Sequence, residues 1–96
     1  MSFNPRFKAV SGQHYIRQIF FEENTEDRSL VLYTLKDYDI EVGGRAIPSI
    51  HRLYVEAEDP VEYDFANRYF DNWNHWDKLR SGTWFKPYLD SMRAEL

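Results

Sequence analysis

The spacing of apolar residues changes character near Pro48. Upstream, residues 15–21 and 30–35 are short runs rich in β-branched and aromatic side chains, separated by the polar stretch 22–29. That pattern predicts a β-hairpin over about residues 15–36. Gly43-Gly44-Arg45 then marks a turn, and because no phosphate-cradling glycine pattern accompanies it, the glycine pair reads as a backbone requirement.

After Pro48 the period becomes helical. Ile50, Leu53, Tyr54 and Ala57 fall at i, i+3, i+4 and i+7 and predict a first helix over about residues 48–58, with Pro48 in its first turn. Asp59-Pro60-Val61-Glu62 reads as a capping box, in which the Asp59 carboxylate accepts from the Glu62 amide and Glu62 faces the positive helix end. A second helix over about residues 60–70 follows, with Val61, Phe65 and Tyr69 on one face and Phe70 beside them. Asn72 offers the N-cap of a short third helix, where Trp73, Trp76 and Leu79 recur until Ser81-Gly82 supplies the stop. Phe85, Leu89, Met92 and Leu96 carry the stripe through a fourth helix beginning near Phe85, and Pro87 fits only its first turn.

The expected class is therefore α+β and predominantly helical. An N-terminal β-hairpin arm occupies residues 1–47, and a helix-turn-helix bundle of about four helices occupies residues 48–96. Since the stripe reaches Leu96 without a stop signal, the native chain is expected to continue beyond it.

A length of 96 residues is that of one domain, or of a fragment of a longer protein. Its 18% aromatic content, from seven Phe, seven Tyr and three Trp, excludes a disordered tail and implies an aromatic core. There is no cysteine, and His14, His51 and His75 lack the spacing of a zinc motif, so neither metal nor cofactor is expected. Apolar runs are too short to span a membrane, and the first ten residues lack the apolar stretch of a secretory signal. The expected setting is a soluble intracellular one, with no membrane partner.

The net charge of −4 is unevenly spread. Residues 1–21 hold Arg6, Lys8 and Arg17 with no acid, whereas residues 22–40 hold six acids against Arg28 and Lys36. Any anion-binding surface must therefore be local.

Two helices joined by a tight polar turn, with a helix before and another after, match a helix-turn-helix module, whose second helix enters the major groove. With Trp73, Trp76 and Leu79 inward, the outward residues of the third helix are Asn72, Asn74, His75, Asp77, Lys78 and Arg80, flanked by Arg68 and Lys86. Asn can bond adenine bidentately, and Lys or Arg can reach guanine or phosphate. The candidate DNA-binding residues are thus Asn72, Asn74, His75, Lys78, Arg80, Arg68 and Lys86; the same composition also suits an ordinary solvated helix face. Catalysis is not expected. Carboxylates such as Glu22-Glu23, Asp37 with Asp39, and Glu56 with Glu58 and Asp59 are neighbours in polar stretches rather than a pair held across a cleft. His14 and His51 have no nucleophile partner in any motif, and His51 reads as a boundary residue.

The segments Ser49-Ile50-His51-Arg52-Leu53-Tyr54, Asp59-Pro60-Val61-Glu62-Tyr63-Asp64-Phe65-Ala66, His75-Trp76-Asp77-Lys78-Leu79, Trp84-Phe85-Lys86-Pro87-Tyr88-Leu89 and Arg93-Ala94-Glu95-Leu96 carry a resemblance. They resemble the N-terminal domain of the small terminase family of tailed bacteriophages, closely over residues 47–96 and loosely over residues 13–39. The turn departs from the family pattern, with Phe70-Asp71-Asn72 in place of Gly followed by Ser or Thr. The resemblance implies a viral genome-packaging protein of the host cytoplasm that binds duplex DNA and forms a homo-oligomeric ring. Its further partner would be the large terminase subunit, the packaging ATPase and nuclease. A different reading of the same residues is a phage or bacterial protein-interaction module, an adaptor or inhibitor with a helix-turn-helix shape and an acidic contact surface.

Overall fold

Gly43 and Gly44 both take positive φ, 58° and 79°, a conformation that side chains resist. This pair turns the chain between β1 (Ile40–Val42) and β2 (Arg45–Ile47), an antiparallel hairpin with Ile40 opposite Ile47 and Val42 opposite Arg45. The computed structural model describes residues 5–96. Four helices follow the hairpin: α1 (Ile50–Ala57), α2 (Tyr63–Tyr69), α3 (Trp73–Arg80) and α4 (Lys86–Ala94). The class is α+β, as expected, and each of the four helices forms within the span its apolar stripe marks out.

The hairpin itself lies elsewhere than expected. In place of strands, residues 15–36 contain single 3₁₀ turns at Arg17–Ile19 and Arg28–Leu30 and one parallel bridge between Phe20 and Tyr33. Turn chemistry is one reason. Asn24 accepts the amides of Glu26 and Asp27 at 3.1 and 2.9 Å and donates to the carbonyls of Gln18 and Asp27, which winds residues 18–27 into a loop. Burial is the other. Ile19 and Phe20 are adjacent yet both fully buried, which a half-solvated strand with alternating faces cannot achieve.

Side chains from both halves of the chain share one core. Ile19, Phe20, Tyr33 and Leu35 pack in the same cluster as Tyr54, Phe65, Trp76, Phe85 and Met92. The Tyr33 hydroxyl also donates to the Tyr69 carbonyl at the end of α2, tying the irregular segment to the helices.

Helix ends follow local chemistry, with three departures from the expected pattern. Ser49 caps α1 through its hydroxyl, which accepts the Arg52 amide at 3.1 Å, and Asn72 caps α3 by accepting the His75 amide at 3.1 Å. Asp59, however, accepts the Phe65 amide with its carboxylate and the Glu62 amide with its carbonyl, while Glu62 turns inward rather than toward the helix end. Val61 lies outside α2 and is 71% exposed, because the helix begins two residues later than its apolar residues suggest. Leu96 lies past the end of α4 and is 51% exposed, so it does not extend the stripe.

Candidate nucleic-acid interface

Phe70, Asp71 and Asn72 connect α2 to α3, and the aromatic rings of Phe65 and Trp76, 5.1 Å apart, hold the two helices together. Trp76 and Leu79 are fully buried, and Trp73 packs against the core from its edge. With these positions inward, Asn74 and Lys78, one helical turn apart, are exposed on the outer side of α3. Arg68, near the end of α2, is exposed and has no ionic partner among the described residues.

His75 is not on that outer side. It is fully buried, because it sits four residues before Leu79 and therefore on the same helix face. A period of three captured Trp73, Trp76 and Leu79 but missed this fourth-residue neighbour. The ring stacks on His14 with centroids 4.5 Å apart and planes 8° from parallel. Its Nδ1 accepts the Asp71 amide at 3.2 Å, so the ring proton sits on Nε2 and is donated to the Tyr15 carbonyl at 2.6 Å. Burial pulls the imidazole down to about 4, so it is neutral at pH 7. It holds residues 14–15 against α3 and offers nothing to a phosphate.

Around it lies a polar cluster that crosses the chain. His14 Nε2 lies 2.9 Å from Asp71 Oδ2, Lys8 Nζ lies 3.3 Å from the same oxygen, and Lys78 Nζ lies 3.3 Å from His14 Nδ1. Burial raises the Asp71 carboxyl, but the hydrogen bonds from His14 and Lys8 outweigh it and hold the group below the ordinary aspartate range. Lys8, His14 and Asp71 were not among the expected site residues. The signal that could have found Lys8 was the acid-free basic stretch 1–21, but nothing local placed it beside α3.

The other expected residues are divided in their engagements. Asn72 is occupied by its cap. Arg80 donates from Nε to Asp77 at 2.9 Å and lies over the Trp73 ring, 4.7 Å from its centroid. Lys86 pairs with Asp90 at 2.8 Å along α4. Asn74, Lys78 and Arg68 therefore remain as the outward polar set of the helix pair, with Lys8 brought in beside Lys78 through His14 and Asp71.

A second polar site is internal. Glu62, 2% exposed, accepts from Tyr54 Oη at 2.5 Å, Trp76 Nε1 at 3.2 Å, and Arg93 Nε and Nη2 at 2.9 and 3.0 Å. Burial raises its carboxyl, yet these donors, Arg93 first, bring it below the ordinary range. The Tyr54 phenol is pushed up to about 12 by burial and by the carboxylate. Such a carboxylate is fully engaged by donors of its own chain, so it joins α1, α2, α3 and α4 rather than serving as an acid or base.

Among the described residues no three His, Asp or Glu side chains are placed to hold a metal ion, and no helix is long and apolar enough to cross a membrane. Comparison with family models, with curated proteins and with solved structures gives no match for this chain.

Proposed function

We propose that this chain is a duplex-DNA-binding component of a viral genome-packaging machine, presenting DNA to a large ATPase and nuclease subunit. The observation that carries this reading is the pair α2 and α3, joined by three residues, with Asn74 and Lys78 outward on the second helix and Arg68 outward on the first. Lys8 reaches the same cluster, but its charge is paired with Asp71, so Lys78 and Arg68 are the cations this reading relies on. The resemblance of residues 47–96 to small terminases supports the packaging context and a homo-oligomeric ring, and the role is one of binding rather than catalysis.

Charge limits what one copy can do. Five bases and six acids in residues 61–96 nearly cancel, so a single chain is expected to bind duplex DNA only at the non-specific level of about 10⁻⁴ to 10⁻⁶ M. Useful affinity then comes from several copies engaging one DNA. Fluorescence anisotropy on duplex DNA at two salt concentrations tests this. Lys78→Ala and Arg68→Ala should each weaken binding and lower the salt slope by about one phosphate equivalent, with melting temperature nearly unchanged. Binding by the double variant as tight as by the parent would overturn the assignment.

A further inference from the structure

Two adjoining cavities run along the outer side of α1 and share Val55 and Glu95. One, of about 480 Å³, is lined by Val55, Glu58, Pro60, Glu95 and Leu96; the other, of about 190 Å³, continues past His51, Arg52 and Glu56 to Asp37. Together they form a groove with an apolar stretch at Val55, Pro60 and Leu96.

Carboxylates border this groove along its length. Asp37 and Glu58 have no cationic partner among the described residues. Glu95 Oε1 lies 3.0 Å from His51 Nε2, close in distance but off the direction of a hydrogen bond. The guanidinium of Arg52 is already held by Asp39 and Glu56, at 2.8 and 2.5 Å. The acids are strung along the groove rather than converging, and no three of them form a metal site among the described residues.

We infer that this groove docks an amphipathic, basic segment of a partner protein. Its apolar side chains would cover Val55, Pro60 and Leu96, while its Lys or Arg side chains would meet Asp37, Glu58 and Glu95. Charge decides the class of occupant. Phosphate would be repelled by the bordering carboxylates, and a second copy presenting the same face would set carboxylate against carboxylate. With Arg52 already paired, the charge left around this apolar stretch is that of carboxylates, which suits a helix laid in a groove with basic side chains flanking its apolar stripe. The inference does not depend on the DNA reading, since no lining residue belongs to α3.

The test is a titration of isotope-labelled protein, followed by amide chemical shifts, with a synthetic amphipathic helix built of Leu and Lys and with its Leu and Glu counterpart. The Leu/Lys peptide should bind and move Val55, Glu58, Glu95 and Leu96. Reversing charge at Glu58→Lys with Glu95→Lys should weaken it by about tenfold or more, as two ion pairs become two repulsions. Glu23→Lys with Glu26→Lys, an equal charge reversal elsewhere, should leave it nearly unchanged. Equal binding of the Leu/Glu peptide would overturn the inference. So would shifts centred on residues 22–27, or a control variant that weakens binding as much as the groove variant. Concentration-dependent self-association through these residues without peptide would make the occupant a second copy. Duplex DNA should leave these resonances in place whether or not it binds α3, so failure of the DNA reading and failure of this one give different spectra.

Discussion

His75 and Glu62 are both buried and titratable, yet they stand in opposite charge states at neutral pH. Around His75 the nearest donors and acceptors suit a neutral ring, whereas Glu62 is surrounded by donors that suit a carboxylate. The consequence is a response to acid that begins early. An unfolded imidazole titrates near 6.5, while folded His75 resists protonation down to about 4. Stability is therefore full above about pH 6.5 and falls toward about pH 4, by up to about 3 kcal/mol from this residue, because the unfolded chain binds the extra proton. Glu62 has a lowered folded value, so its contribution is present above the ordinary glutamate range and is lost as pH falls below it. Urea midpoints should already drop between about pH 6.5 and pH 5. His75→Gln, although less stable near pH 7, should flatten that part of the profile. A parent midpoint that stays level down to about pH 5 would contradict a buried neutral His75.

At the ends of α1 and α2 the same backbone conformation occurs in two settings. Glu58 closes α1 at φ 51°, and Glu62 opens α2 at φ 67°, both in the left-handed region that costs a side-chain-bearing residue about 1 kcal/mol. Glu58 is exposed and its carboxylate bonds nothing among the described residues, so Glu58→Gly should relieve that cost and stabilise by about 0.5–1 kcal/mol. Glu62→Gly relieves the same strain but leaves Tyr54, Trp76 and Arg93 without their acceptor, and should destabilise by about 3–5 kcal/mol. Thermal melts of the two variants should therefore move in opposite directions. The Asp59-Pro60 break between these helices was legible in the chain, as were the Asn72 cap and the Pro87 start of α4. The conformation of the connection was not, because it depends on where the Glu62 carboxylate finds its donors.

Trp76 sits where the whole molecule converges. It is fully buried, with Phe65 and Phe70 rings at 5.1 and 5.2 Å, Phe85 at 6.0 Å and Tyr54 at 6.4 Å. Trp76→Ala should cost about 3–5 kcal/mol. A domain of this size has about 5–15 kcal/mol in total, so the variant should melt far below the parent or fail to fold, as circular dichroism would show. A parent-like melt would mean that the phase of α3, and with it the outward placement of Asn74 and Lys78, is wrong. The N-terminal residues take part in this same core, with Phe20 5.8 Å from the Phe85 ring. The helices therefore have no core of their own apart from residues 19–35.

The sequence alone determined the four helices, because a period of 3.6 in apolar residues, bounded by Ser, Asn, Pro and Gly, is a local property that each segment carries by itself. It also determined the turn at Gly43-Gly44 and the inward face of Trp76 and Leu79. Tertiary structure decided the rest. Residues 15–36 have the composition of strands but spend their apolar side chains filling the helical core, so burial from several sides overrode their β preference. His75 and Glu62 look like surface residues in the chain and are buried because partners 60 and 31 positions away satisfy them, at Tyr15 and Arg93. No local pattern encodes partners at such separations, since a buried polar group is tolerated only once the whole fold has brought its donors and acceptors together.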